Sequence, residues 1–493
     1  VRSLSARLIA LVALTLGACS SEVSRPNVLL ITIDTLRADH VGCLGAPRGS
    51  TPTLDSLAAT GVSFLQAHSP SNRTLPSHAS ILSSRHSRSH GVRGNADALP
   101  EGFSTMPEVV GRAGWSTCAV ISMTFLRFVA RGFQRLVEVD EREGLGLAGR
   151  TTEAAERCLR SAEEPFFLWV HYYDPHWPYE PPSPYDRLWW DREAPRLPPA
   201  ITAALSQGRL SKEAEAFLRS QYRGEVAYTD RAVGDLLSSL KKLGLHERTL
   251  VIVTADHGES MTEHDLFFSH WEGLHQTLIH VPLILSGPGV TRGQPVETPV
   301  SLVDLGPTLL LLLGLEPCAD FQGRPLLGAR AEPPVVLAEE PLREGRAVRR
   351  GDWKLVSWQE EVLDPPDGAL VREALGRSLT PEESLLVATA PTAVAEATVP
   401  WDLPGDLEDV VAELLQVCRR RGWTDTLEQD RLYSLAEDPG EERDVADRNP
   451  TVLARLDSVW TQWQRSAPLT DASPRTHLSD HQKAMLREMG YLY

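Results

Sequence analysis

Three side chains with ligand chemistry stand at the ends of apolar runs. Asp34 closes "NVLLITID" (27–34), and Asp256 and His257 follow another such run in "TLVIVTADHGE" (249–259). Either aspartate alone would serve as an ordinary helix cap. An adjacent Asp-His pair followed by Gly258 is a compact ligand pair, and Asp34 adds a second carboxylate, enough to hold one divalent cation. A hydroxyl at the head of a helix would suit the fourth position. "NRTLPSHASILSS" (72–84) offers one in Thr74, shortly before the apolar Ala79, Ile81 and Leu82. The T-x-P-S order reads equally well as a capped helix start, its hydroxyls meeting orphan N–H groups. The same geometry places a hydroxyl where a helix N-terminus stabilises an anion. Local sequence leaves both readings open.

The elements that must position these residues are legible as patterns. Residues 27–34, 166–174, 249–259 and 281–287 read as strands buried on both faces. Helical patterns lie between them at 51–64, from Glu153 to Ala162, and at 222–244. Such alternation predicts an α/β fold with a largely parallel sheet. In such sheets ligands sit beyond the carboxyl ends of the strands, where Asp34, Asp256 and His257 fall. "HYYDPHWPY" puts His171 and His176 at another strand end, and "FFSHWEGLHQ" offers His270 and His275. Imidazoles can give or take a proton near neutrality. His86 and His90 in "RHSRSHGV" have ligand-like spacing but no carboxylate near them in sequence, so they read as structural.

After about Pro333 the texture changes. "VRRGDWKLVSW" (348–358) reads as a short strand with Lys354 a solvated strand-end charge, and a second strand follows at 431. The acidic, proline-dotted residues 359–430 read as an insertion in a C-terminal subdomain, 333–493, that follows a main domain over 26–332.

With 493 residues, 42% apolar and 23% charged, the chain has a globular composition, and a net charge of −17 without basic blocks argues against nucleic-acid binding. The first residues read as a targeting segment: Arg2 and Arg7, then "LIALVALTLGA", too short to span a bilayer comfortably. "LGAC" resembles a bacterial lipoprotein box. Residues 1–18 would be the signal peptide, Cys19 the lipidated residue and 19–25 a tether. Ser20 and Ser21 then favour the outer membrane of a bacterial cell envelope. The other five cysteines are widely spaced and form no C-x-x-C pair, so no zinc cluster or disulfide framework is indicated.

From Arg25 to Tyr493 the chain closely resembles the sulfatase family of the alkaline-phosphatase-like superfamily. The resemblance rests on "RPNVLLITIDTLRADHVGCLG", "TPTLDSLAATGVSFLQAHSPSNRTLPSHASILSSRHSRSHGV", "GWSTCAVIS", "HYYDPHWPY", "TADHGE" and "VPLILSGPGV". It implies an α/β sandwich around a mostly parallel sheet, with a smaller C-terminal α+β subdomain. It also implies a metal-dependent hydrolase acting on a sulfate or phosphate ester. Thr74 falls on the family's nucleophile position and His78 on the arginine of Cys/Ser-x-Pro-x-Arg. A threonine would give a ketone, so formylglycine is not expected.

Asp34-Thr35 replaces the usual paired aspartates, Asp256-His257 the usual Asp-Asn, and Ser122-Met123-Thr124 the usual Lys-Trp-His. These changes favour zinc over calcium. Asp34, Thr74, Asp256 and His257 together resemble the zinc-and-threonine sites of phosphoethanolamine transferases. The implied roles are Thr74 as nucleophile and ligand, His171 and His270 as catalytic residues, and His78 and His176 as substrate-binding residues. The alternatives are phosphoryl transfer and a catalytically retired binding protein on the same fold.

Overall fold

The computed structural model describes residues 25–47, 49–140, 146–197, 210–270, 272–293, 295–328, 334–341, 345–363, 424–467 and 469–470, without the side chains of 265, 359–363 and 424–428. Cys19, the leader, the core of the insertion and the last residues lie outside that set. Among the described residues no helix is long and apolar enough to cross a membrane.

The main sheet has seven strands: β1 (Asn27–Ile33), β2 (Val62–Ser63), β4 (Ser116–Ile121), β5 (Arg135–Glu138), β6 (Phe166–Tyr172), β7 (Thr249–Ala255) and β9 (Leu283–Ser286). Their order is β2-β9-β7-β1-β6-β4-β5. All pairings from β7 through β5 are parallel, and β9 and β2 close one edge antiparallel. The central strands β1, β6 and β7 are buried at every residue, which is why they appear in sequence as unbroken apolar runs. β3 (Ala67–His68), β8 (His280–Val281) and β10 (Val300–Ser301) form a small second sheet.

Helices α1 (Pro52–Thr60), α2 (Thr74–Ser83), α3 (Leu147–Ser161) and α4 (Lys212–Lys242) flank this core. α4 begins ten residues before the periodic pattern suggests, because Ser211 caps it by accepting the Ala214 N–H at 3.1 Å.

A four-stranded antiparallel sheet of β11 (Val335–Glu340), β12 (Gly345–Arg350), β13 (Trp353–Leu363) and β14 (Thr424–Ser434) follows. Residues 348–358 therefore hold parts of two strands rather than one, since Gly351 at φ 63° turns the chain between them. β13 and β14 pair along their whole length, so the ends of the supposed insertion extend this sheet. One face packs on helix α5 (Pro450–Ser466) through Leu456 and Trp460, and the other on Leu274, Leu278 and Ile279 of the main domain.

Lys354 corrects the expectation of a solvated charge. It is fully buried, with Nζ 2.6 Å from Glu441 Oε1 and donating to Gln276 Oε1 at 3.2 Å. Removing one partner strands the other charge in the core. Lys354→Met is expected to cost about 3–5 kcal/mol in urea denaturation, and adding Glu441→Gln to recover most of it.

Candidate active site

β1 is flanked by β6 and β7, with Thr32 in register with His171 and Ile33 with Ala255. The strands therefore release Asp34 and Asp256 at one level of the carboxyl edge, with His171 just inside the end of β6. A sharp turn aims Asp34 across that edge: Thr35 adopts φ 54°, its carbonyl accepts the Tyr222 O–H at 2.8 Å, and its N–H donates to Asp256 Oδ1 at 3.3 Å. Gly258 is needed for the loop that carries His257, because a Cβ there would lie 2.1 Å from the Thr277 carbonyl oxygen.

Asp34, Asp256 and His257 each place a ligand atom within 4.8 Å of the other two, and all three are fully buried. His257 donates Nδ1–H to the Gly258 carbonyl at 2.9 Å, which leaves the Nε2 lone pair facing inward. That nitrogen lies 3.5 Å from Asp256 Oδ2 and 3.8 Å from Asp34 Oδ1. Asp256 Oδ1 is satisfied by two backbone N–H groups, whereas its Oδ2 has no hydrogen-bond partner. Burial and then the neighbouring Asp34 charge push the Asp256 carboxyl well above the usual carboxylate range, and burial pushes the His257 imidazole well down. A dry cluster of lone pairs with an unsatisfied carboxylate oxygen is the donor set that a divalent cation fits.

Thr74 is the first residue of α2, fully buried, with Oγ1 3.2 Å from His257 Nε2. Its hydroxyl therefore lies beside the Asp34–Asp256–His257 cluster, and no side chain caps the helix at Arg73. The expected reservoir of free N–H groups at this helix head is mostly absent. The Leu75 N–H donates to Asn95 Oδ1 at 3.0 Å, Pro76 has none, and the Ser77 N–H already meets the Arg73 carbonyl at 2.9 Å. Ser77 Oγ instead ties the helix to the Asp256 carbonyl at 2.7 Å, which holds the head of α2 against the Asp256–His257 loop.

The histidines divide by what their nitrogens meet. His78 has both engaged: Nδ1 donates to the Thr74 carbonyl at 2.8 Å, and Nε2 meets Thr32 Oγ1 at 3.0 Å. Trp169 Nε1 donates to the same Thr32 oxygen at 3.0 Å. Burial, with His171 adding to it, pushes His78 well below its ordinary range. With both nitrogens engaged it braces the first turn of α2, which leaves neither for the substrate-binding role that its signature position implies. His171 Nδ1 lies 3.4 Å from Ser122 Oγ, whose own proton goes to the His171 carbonyl, so His171 Nε2 faces Asp34 Oδ2 at 3.6 Å as a lone pair. Burial pushes this imidazole down to about 3. It suits lone-pair donation better than the acid role.

His270 is set differently. Its Nδ1 meets Glu259 Oε1 at 3.1 Å, and its ring lies 4.4 Å from that of His257. His176 is buried beside it at 5.3 Å between ring centroids, with Nδ1 held by the Trp177 carbonyl at 2.7 Å. His275 stacks on His264 at 3.7 Å and takes a packing role. His86 and His90 are buried elsewhere, against Trp463 and Ser80 respectively.

Three residues gain importance only in the folded chain. Glu259 accepts the Tyr179 O–H at 3.1 Å while holding His270, and burial pushes its carboxyl up to about 8. Arg73 puts a guanidinium beside Thr74, anchored through Nε to Glu340 Oε1 of β11 at 3.0 Å, and burial depresses His257 and His270 with a smaller contribution from its charge. Asn95 takes the N–H of Leu75, the second residue of α2. Glu259 alone had a local signal, two positions after His257; the other two are matters of tertiary placement.

A sequence model of the family described as "Sulfatase" matches residues 26–315. Arylsulfatase K of Mus musculus is 26% identical over 433 residues, covering 74% of this chain and 76% of the relative. Among solved structures, a phosphonate monoester hydrolase of Agrobacterium radiobacter superposes with a TM-score of 0.65 at 19% identity, over 92% of this chain and 100% of its own. A 2-O glycosaminoglycan sulfatase does so with a TM-score of 0.64 at 20% identity, over 91% and 95%.

Proposed function

Because this chain belongs to the sulfatase family, we propose that it hydrolyses a sulfate or phosphate-type ester, with Thr74 as the nucleophile in a metal-assisted site. The observation that carries this reading is the 3.2 Å approach of Thr74 Oγ1 to His257 Nε2 beside Asp34 and Asp256. A divalent cation held by Asp34, Asp256, His257 and Thr74 would lower the pKa of the hydroxyl and neutralise ester oxygens. Two carboxylates, an imidazole and an alcohol suit zinc better than calcium, which prefers a larger all-oxygen cage.

The protein's own groups would do the rest. Thr74 Oγ bonds to the sulfur or phosphorus as the bond to the leaving oxygen breaks, and water later removes the group from Thr74. Burial also holds the His270 imidazole down at about 3. It gives its Nε2 proton to the leaving oxygen as its Nδ1 takes the Glu259 carboxyl proton, and the relay runs back when the water attacks. Arg73 offers the permanent positive charge that the signature arginine would otherwise supply, and His78 braces the Thr74 carbonyl. Formylglycine plays no part. Transfer to an alcohol instead of water is the second reading, favoured by threonine itself as the attacking group. The leader and Cys19 support a lipid-anchored location in a bacterial envelope, and the phosphonate and sulfate hydrolases among the structural neighbours support either ester class.

Metal analysis of the purified protein with a panel of aryl sulfates, phosphate monoesters, phosphodiesters and phosphonate monoesters tests the proposal. Near-stoichiometric zinc with turnover of at least one class is expected. No metal and no turnover on any of them overturns it in favour of a retired scaffold. Glu259→Gln is expected to lower kcat about 100-fold with zinc content unchanged, because the amide has no acid proton to pass to His270. A KM-only effect in steady-state kinetics would assign Glu259 to binding instead.

A further inference from the structure

Cys118 lies on β4 and Cys158 in the last turn of α3, the helix that covers this part of the sheet. Their spacing in sequence carries no pairing signal, yet the fold brings the two Sγ atoms to 2.8 Å, inside ordinary non-bonded contact for sulfur. Cys118 is partly exposed and so within reach of a reagent, whereas Cys158 is buried at 3% exposure. Arg135 is in register with Cys118 on the neighbouring strand β5. The other described thiols, Cys43 and Cys318, have no such neighbour among the described residues.

We propose that Cys118 and Cys158 form a disulfide that fastens α3 to the sheet, made by exchange with an external disulfide. One thiolate of the pair attacks the external disulfide, whose S–S bond breaks and releases a thiolate. The second cysteine then attacks the mixed disulfide and releases the other half. Two cysteine thiols are oxidised, the external disulfide is reduced, and its two thiolates take up the two protons. The hydrogen bond from the Cys118 thiol outweighs burial and, with Arg135 and Arg157 adding to it, draws Cys158 below the ordinary thiol range, which suits it to the second attack, on a mixed disulfide formed at the more accessible Cys118. This inference is independent of the active-site assignments.

The full chain is treated with oxidised glutathione, alkylated under denaturing conditions and mapped without reduction. A linked pair of peptides holding Cys118 and Cys158 is expected, with Cys43 and Cys318 alkylated. Closing this loop is expected to raise the thermal midpoint of the wild type by about 5 °C over its reduced form. In Cys158→Ala, reductant is expected to have no effect on that midpoint. Recovery of both cysteines as alkylated thiols after the oxidant, or their linkage to other cysteines, overturns the proposal. The map of the wild type decides this whether or not the variant folds.

Discussion

Thr74→Val lowers kcat by about 10⁴-fold or more on any substrate the protein turns over, the loss expected when a nucleophile is removed. Valine keeps the branched shape at this fully buried position and replaces only the oxygen, so α2 and its Ser77 and Asn95 ties stay in place. Thr74→Ser retains the oxygen and is expected to keep most of the activity. Quench kinetics followed by peptide mass spectrometry read the same claim: residue 74 of the wild type is unmodified threonine at rest and carries the transferred group during turnover. Equal turnover by Thr74→Val would remove Thr74 from the chemistry.

Loss of the ligands has the other large effect. Asp256→Asn or His257→Ala is expected to reduce bound zinc well below one per chain and kcat by at least about 10³-fold, the scale of several kcal/mol of transition-state charge stabilisation. Chelation of the wild type is expected to do the same, and zinc to restore it. The metal-free proteins should rank in the opposite sense. Asp256 Oδ2 is a buried carboxylate oxygen without a hydrogen-bond partner, beside the Asp34 charge. Asp256→Asn removes that penalty, so the apo variant is expected to unfold at a higher temperature than the apo wild type. Added zinc should raise only the wild type's midpoint. A metal-free wild type as stable as the variant would mean that the cluster carries no such strain.

How much of this was readable from the residues depends on how local each cause is. Asp34, Asp256 and His257 were legible because doubly buried parallel strands show as apolar runs and because such sheets present ligands at their carboxyl ends. Thr74 was ambiguous alone; its helix head is a common cap pattern, and only the fold brings its hydroxyl beside His257. The state of His78 could not be read, since it depends on Thr32 and Trp169 from other strands.

Arg73 and Asn95 needed the long-range contacts to Glu340 and the Leu75 N–H. Lys354 was misread because a lysine on a strand is usually solvated, and nothing near it in sequence announces Glu441. The single strand expected over 348–358 failed for a smaller reason, the Gly-Asp turn between two short runs.

Anomalous diffraction at the zinc edge from crystals grown with zinc tests the central claim most directly. The account predicts one strong peak among Asp34, Asp256 and His257, with the Thr74 oxygen within bonding distance. A peak elsewhere, no peak at saturating zinc, or a Thr74 oxygen turned away from the bound ion would contradict it.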